Sequence, residues 1–88
     1  MRKLLMALTC FGLLASAATA RACEADHWID KVSDDGGIVI LEDGSVWLID
    51  PVDRATTITW TEIDDVAACV DRLINTDERE VARARQIR

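Results

Sequence analysis

Ile38-Val39-Ile40-Leu41-Glu42-Asp43-Gly44-Ser45-Val46-Trp47-Leu48-Ile49 holds two four-residue apolar runs on either side of four turn-forming residues. The runs are rich in β-branched and aromatic side chains, which suit a pleated strand. Asp43-Gly44 supplies what a tight hairpin connection needs. The stretch predicts a β-hairpin with strands over Ile38–Leu41 and Val46–Ile49. Neither run alternates with polar residues, so both faces of each strand need cover. In so short a chain a small sheet closed on itself provides that cover without a layer of helices.

The same punctuation extends outward from the hairpin. Upstream, Trp28 to Ser33 predicts a strand and Asp34-Asp35-Gly36-Gly37 the turn after it. Downstream, Asp50-Pro51-Val52-Asp53 ends the hairpin, because proline has no N–H for a central ladder. Thr56 to Trp60 is β-branched and aromatic but less regular. Val66 to Val70, Leu73-Ile74 and Glu80 to Ile87 are the remaining strand candidates. A C-terminal helix competes for the last of these, started by Asp77-Glu78-Arg79-Glu80 and supported by Ala82 and Ala84. Only Val81, Ala84 and Ile87 would give it an apolar face, and a small sheet needs its last strand to limit exposed edges. The expectation is an all-β domain over residues 21–88, a five- to six-stranded SH3-like barrel or meander.

Before this domain, Arg2 and Lys3 precede a nearly unbroken apolar run, Leu4 to Ala15, and Ala18-Thr19-Ala20 places small residues at its end. That is the order of a secretory signal peptide, with cleavage after Ala20 or Ala22. The run is too short and too poorly flanked for a transmembrane helix. A lipid anchor on Cys23 is disfavoured, because Ala20 and Arg21 stand where a lipobox would differ. Export to the periplasm or the exterior follows. It removes Cys10 and leaves Cys23 and Cys69, an even number that predicts one structural disulfide in an oxidising compartment.

Loss of residues 1–20 removes two cations and no acid, taking the formal charge from −6 to −8. Such a domain is a poor ligand for nucleic acid or anionic lipid and leaves basic proteins, cations and neutral ligands open as partners. The acids occur in pairs beside turn residues, without calcium-loop spacing. One histidine, His27, and paired cysteines do not make a zinc-ligand motif. His27 also lacks the Gly-X-Ser-X-Gly or comparable setting of a nucleophile, so it reads as a polar residue entering the first strand. No catalytic residue, metal ligand or cofactor is expected. The basic stripe Arg79, Arg83, Arg85 and Arg88 pairs with acidic turns or faces an anion.

Trp28, Trp47 and Trp60 are the most specific side chains, each with a large apolar surface and one N–H donor. Core packing accounts for one or two of them. Trp47 and Trp60 are the candidates for display in a partner-binding groove.

Val32-Ser33-Asp34-Asp35-Gly36, Leu41-Glu42-Asp43-Gly44-Ser45-Val46-Trp47, Asp50-Pro51-Val52-Asp53, Trp60 and Leu73-Ile74-Asn75-Thr76-Asp77 together resemble a family of small exported bacterial proteins of unknown function. The resemblance spans residues 28–88. It implies an all-β domain behind a signal peptide and carries over no site residues. The expected activity is that of a monomeric, non-enzymatic binding or accessory module for a protein or envelope component. An acidic inhibitor or immunity-type protein for a basic partner is the alternative. A small hydrolase or metal-dependent enzyme built on the Asp pairs is the remaining one.

Overall fold

A computed structural model describes residues 23–88; the expected signal peptide and Cys10 lie outside the described residues. The chain forms β1 (Cys23–Val32), β2 (Ile38–Leu41), β3 (Val46–Ile49), a 3-10 turn (Pro51–Asp53) running into α1 (Arg54–Thr57), then β4 (Asp65–Cys69), β5 (Arg72–Asn75) and β6 (Glu80–Gln86). All pairings are antiparallel, and the order β1-β2-β3-β6-β5-β4 closes into a barrel. It is two three-stranded meanders joined along both edges, so every strand has two neighbours in the closed order.

Closure depends on the two long strands. The first half of β1 pairs with β4 and its second half with β2; β6 likewise divides between β5 and β3. β1 makes this change of partner through irregularities between Glu24 and His27 and between Ile29 and Lys31, with Asp26 at φ 67°. Bulges of this kind bend a strand and increase its twist, which turns a corner between sheets.

The hairpin expected over Ile38–Leu41 and Val46–Ile49 is present with Val39 opposite Trp47. Its connection is a three-residue loop. Gly44 N–H donates to Leu41 O, and Gly44 then takes φ 86°, which glycine adopts without steric cost. Val39, Leu41, Trp47 and Ile49 point into the barrel, while Ile38, Ile40, Val46 and Leu48 stay half-buried on its outer face. The uniform apolarity of these strands thus hides an ordinary alternation.

The first strand begins five residues earlier than Trp28, because pairing with β4 extends it back to Cys23. Cys23 lies directly opposite Cys69, and the two form the expected disulfide across a sequence separation of 46. The C-terminal segment is strand, not helix: Ala82 and Ala84 alternate inward into the core. Thr56 to Trp60 is not extended. Asp50 caps the turn before it through its side chain to Val52 N–H, Pro51 starts the helical turn, and Thr57 Oγ1 donates to the carbonyl of Gly36. Gly36 has φ 75°, and a Cβ there would lie 2.5 Å from Arg54 O, so its lack of a side chain lets α1 close on the β1–β2 turn.

The core comprises Ile29, Val39, Leu41, Trp47, Ile49, Trp60, Val66, Ala68, Leu73, Ala82 and Ala84. Trp47 and Trp60 are therefore not groove residues. Their side chains are 5% and 4% exposed, and their N–H groups donate inward to Ser45 Oγ at 3.0 Å and Glu80 Oε1 at 2.8 Å. Each indole buries a large apolar surface and keeps its one polar atom satisfied. Under the Trp60 end of the barrel, Asn75 is fully buried and donates to Asp64, while its carbonyl accepts from Glu78 N–H.

Candidate functional site

Trp28 is the tryptophan left outside, 47% exposed on β1 between the buried Ile29 and the half-buried His27. The bulge at Ala25-Asp26 lifts β1 away from β4 just before it. The result is a concave region of about 350 Å³ lined by Ala25, Asp26, Trp28, Asp65, Ala67 and Thr76. Trp28 and Asp65 are cross-strand partners, so the indole and a carboxylate stand side by side on the outer surface. Neither the Asp26 nor the Asp65 carboxylate pairs with a cation or accepts a side-chain hydrogen bond among the described residues.

The segment leading into β4 carries an exposed apolar residue in strained backbone. Ile63, 76% exposed with φ 69°, donates its N–H to Ile29 O at 2.8 Å, which places it beside the β1 segment that bears Trp28. A β-branched residue in left-handed backbone is sterically unfavourable, and here it holds an apolar side chain out in water.

Immediately beside Trp28, the side chain of His27 meets the β2–β3 turn. Its Nδ1 lies 2.8 Å from Glu42 Oε2, and its Nε2 lies 3.4 Å from Glu24 Oε1. Glu42 is anchored twice more: its Oε1 accepts from Trp28 N–H at 3.0 Å, and its own N–H donates to Trp28 O. Asp43 accepts from Ser45 N–H at 2.9 Å. Ligand atoms of His27, Glu42 and Asp43 all fall within 4.8 Å of one another. Hydrogen bonding to Glu42 holds the His27 imidazole above its ordinary value of 6.5, against partial desolvation. Burial pushes the Glu42 carboxyl up, but the Trp28 N–H and the His27 imidazole outweigh it and leave it below 4.5. Hydrogen bonds from Ser45 draw Asp43 below 3.8.

A second, wider cleft of about 500 Å³ brings Arg54, Arg83 and Arg85 together with Asp50 and Asp71. Of the basic stripe, Arg83 is tied to an acid: its Nε lies 3.2 Å from Asp53 Oδ2 and its backbone N–H donates to the same atom.

The tertiary arrangement thus moves the candidate site. Trp47 and Trp60 belong to the core, and Trp28 takes the exposed position. His27, Glu42 and Asp43, read in the sequence as an entry residue and two turn residues, form one cluster. No local spacing signals it, because His27 reaches Glu42 only through the β1–β2 pairing. Among the described residues no helix is long and apolar enough to cross a membrane. No family model, no curated protein and no solved structure matches the chain.

Proposed function

We propose that this small SH3-like barrel works after export, in the periplasm or outside the cell, as a monomeric binding module without catalytic activity. Its ligand is a lysine or arginine side chain of a protein partner, received in the groove beside Trp28. The observation that carries this reading is the exposed indole flanked by two unpaired carboxylates, Asp26 and Asp65, in one concavity. An indole face attracts a cation through its quadrupole, and nearby carboxylates add direct charge attraction. Each such contact is modest in water, so several basic side chains or a larger protein surface would complete the affinity. The charge of −8 without residues 1–20 supports a basic partner by steering the encounter. The closed strand order supports monomeric action, since every strand already has two partners within the chain.

The same charge favours a second reading, an inhibitor or immunity-type protein that neutralises a basic enzyme. Pull-down from an envelope extract at low and high salt, followed by activity assay of what is captured, separates the two. An inhibitor abolishes its partner's activity, whereas an accessory module leaves it running.

The groove itself is tested by tryptophan fluorescence of the purified protein. A water-soluble quencher is expected to reach one tryptophan of three, and Trp28→Phe to remove that accessible fraction. Titration with a lysine-rich peptide should perturb the same fraction, with Trp28→Ala abolishing binding and leaving the melting temperature close to wild type. Three shielded tryptophans, or equal binding by Trp28→Ala, would rule the groove out.

A further inference from the structure

We infer that His27, Glu42 and Asp43 form a binding site for a divalent transition-metal ion of the zinc class. One imidazole nitrogen and two carboxylates lie within 4.8 Å of one another, and both donor types bind zinc. An imidazole ligand and so few oxygens select against calcium and magnesium, which require six or more oxygens or several retained waters. The assignment is independent of the acidic groove beside Trp28, since it uses none of that groove's carboxylates.

Three features separate this cluster from acids that merely gather on a surface. First, the donors come from two elements that the barrel holds in fixed register. Trp28 and Glu42 exchange hydrogen bonds through Trp28 N–H to Glu42 Oε1 and Glu42 N–H to Trp28 O. Second, each carboxylate is oriented from outside the donor set. Trp28 N–H holds Oε1 of Glu42 and leaves Oε2 facing Nδ1 of His27, and Ser45 N–H holds Oδ1 of Asp43. Such backbone contacts are what orients ligating carboxylates in metal sites. Third, access is graded: the His27 and Glu42 side chains are 15% and 20% exposed, while Asp43 lies open to solvent. An ion would enter past Asp43 and keep its remaining position for water or a partner's side chain. In the metal-free protein the His27 Nδ1 proton bridges to Glu42 Oε2 at 2.8 Å. The ion replaces that proton, which is released to solvent.

The test is calorimetric titration of the exported protein, purified from expression of the full-length chain, with zinc chloride, and with calcium chloride as control. Cobalt chloride gives a spectroscopic arm, because ligand-field bands report the donor geometry. One saturable zinc site is expected, with no calcium heat. His27→Gln and Asp43→Asn are each expected to weaken zinc at least about tenfold, and to lose the cobalt bands. Asp43→Asn keeps the turn, since an asparagine oxygen still accepts from Ser45 N–H, so its loss of zinc is not a loss of fold. Absence of a saturable zinc site in the wild type overturns the assignment. So does equal zinc affinity in the wild type and Asp43→Asn.

Discussion

At the scale of single residues, polarity within the barrel is placed where it can be satisfied. Asn75 has no exposed surface, yet its amide donates to Asp64 Oδ2 at 3.0 Å and its carbonyl accepts from Glu78 N–H at 2.9 Å. Asp64 also accepts from the backbone and hydroxyl of Thr61. Asn75→Ala would leave a carboxylate and an amide short of partners, which costs about 1–3 kcal/mol. Urea denaturation should show that loss as a lower midpoint with an unchanged slope. The same accounting explains the tryptophans. Burying an indole removes roughly 200 Å² from water, worth about 5 kcal/mol as an upper figure, provided the N–H finds a partner. Ser45 and Glu80 are those partners for Trp47 and Trp60. Trp28 has no hydrogen bond from its ring nitrogen among the described residues and stays at the surface, as its place on the outward side of β1 requires.

At the scale of elements, two devices turn an ordinary pair of meanders into a closed barrel. The bulges in β1 let one strand serve both edges, and the disulfide fastens its first residue to the last residue of β4. Linking residues 46 apart restricts the unfolded chain by about 4 kcal/mol in the loop-entropy model. Replacing both cysteines by serine should lower unfolding free energy by up to that amount, and amide exchange should show β1 before Trp28 opening ahead of the hairpin. If that part of β1 kept the protection of β2 and β3 in the double variant, the bridge would be redundant with the ladder. Pro51 and Gly36 do the corresponding work on the other side, turning the β3–β4 connection into α1 and seating it on the β1–β2 turn.

At the scale of the whole molecule, an excess of acids is built into hydrogen-bonded positions, which sets the response to pH. Gly37 N–H and Ser33 draw Asp35 below 3.8; Arg83 does so for Asp53. For Asp64, burial opposes the shift, and Asn75 and Thr61 overcome it. Their folded pKa values lie below the unfolded ones, so the unfolded chain binds more protons in acid. The stability they contribute is complete above about pH 5 and is lost as pH falls through their lowered values. Melting curves from pH 7 to pH 2 should rise at first as His27, whose pKa is raised in the fold, takes up its proton, and then decline in acid, with a shallower acid decline in Asp64→Asn. Much of this architecture was legible in the chain. The hairpin at Asp43-Gly44, the Cys23–Cys69 bridge and the strand at Glu80 follow from turn chemistry, cysteine parity and the need to close a small sheet, all of which act locally or by counting. Thr56 to Trp60 misleads because its strand propensity yields to the Asp50-Pro51 cap and to the seat that Gly36 provides 20 residues away. The site was not legible for a related reason. Strand alternation says that side chains take opposite faces, but which face is the inside depends on bulges and partners distant in sequence. Sequence by itself determined a small, acidic, disulfide-stapled β domain. Only tertiary structure decided that Trp47 and Trp60 fill it, that Trp28 stands outside, and that His27 meets Glu42 and Asp43, because those relations exist only once β1 has bent and paired on both edges.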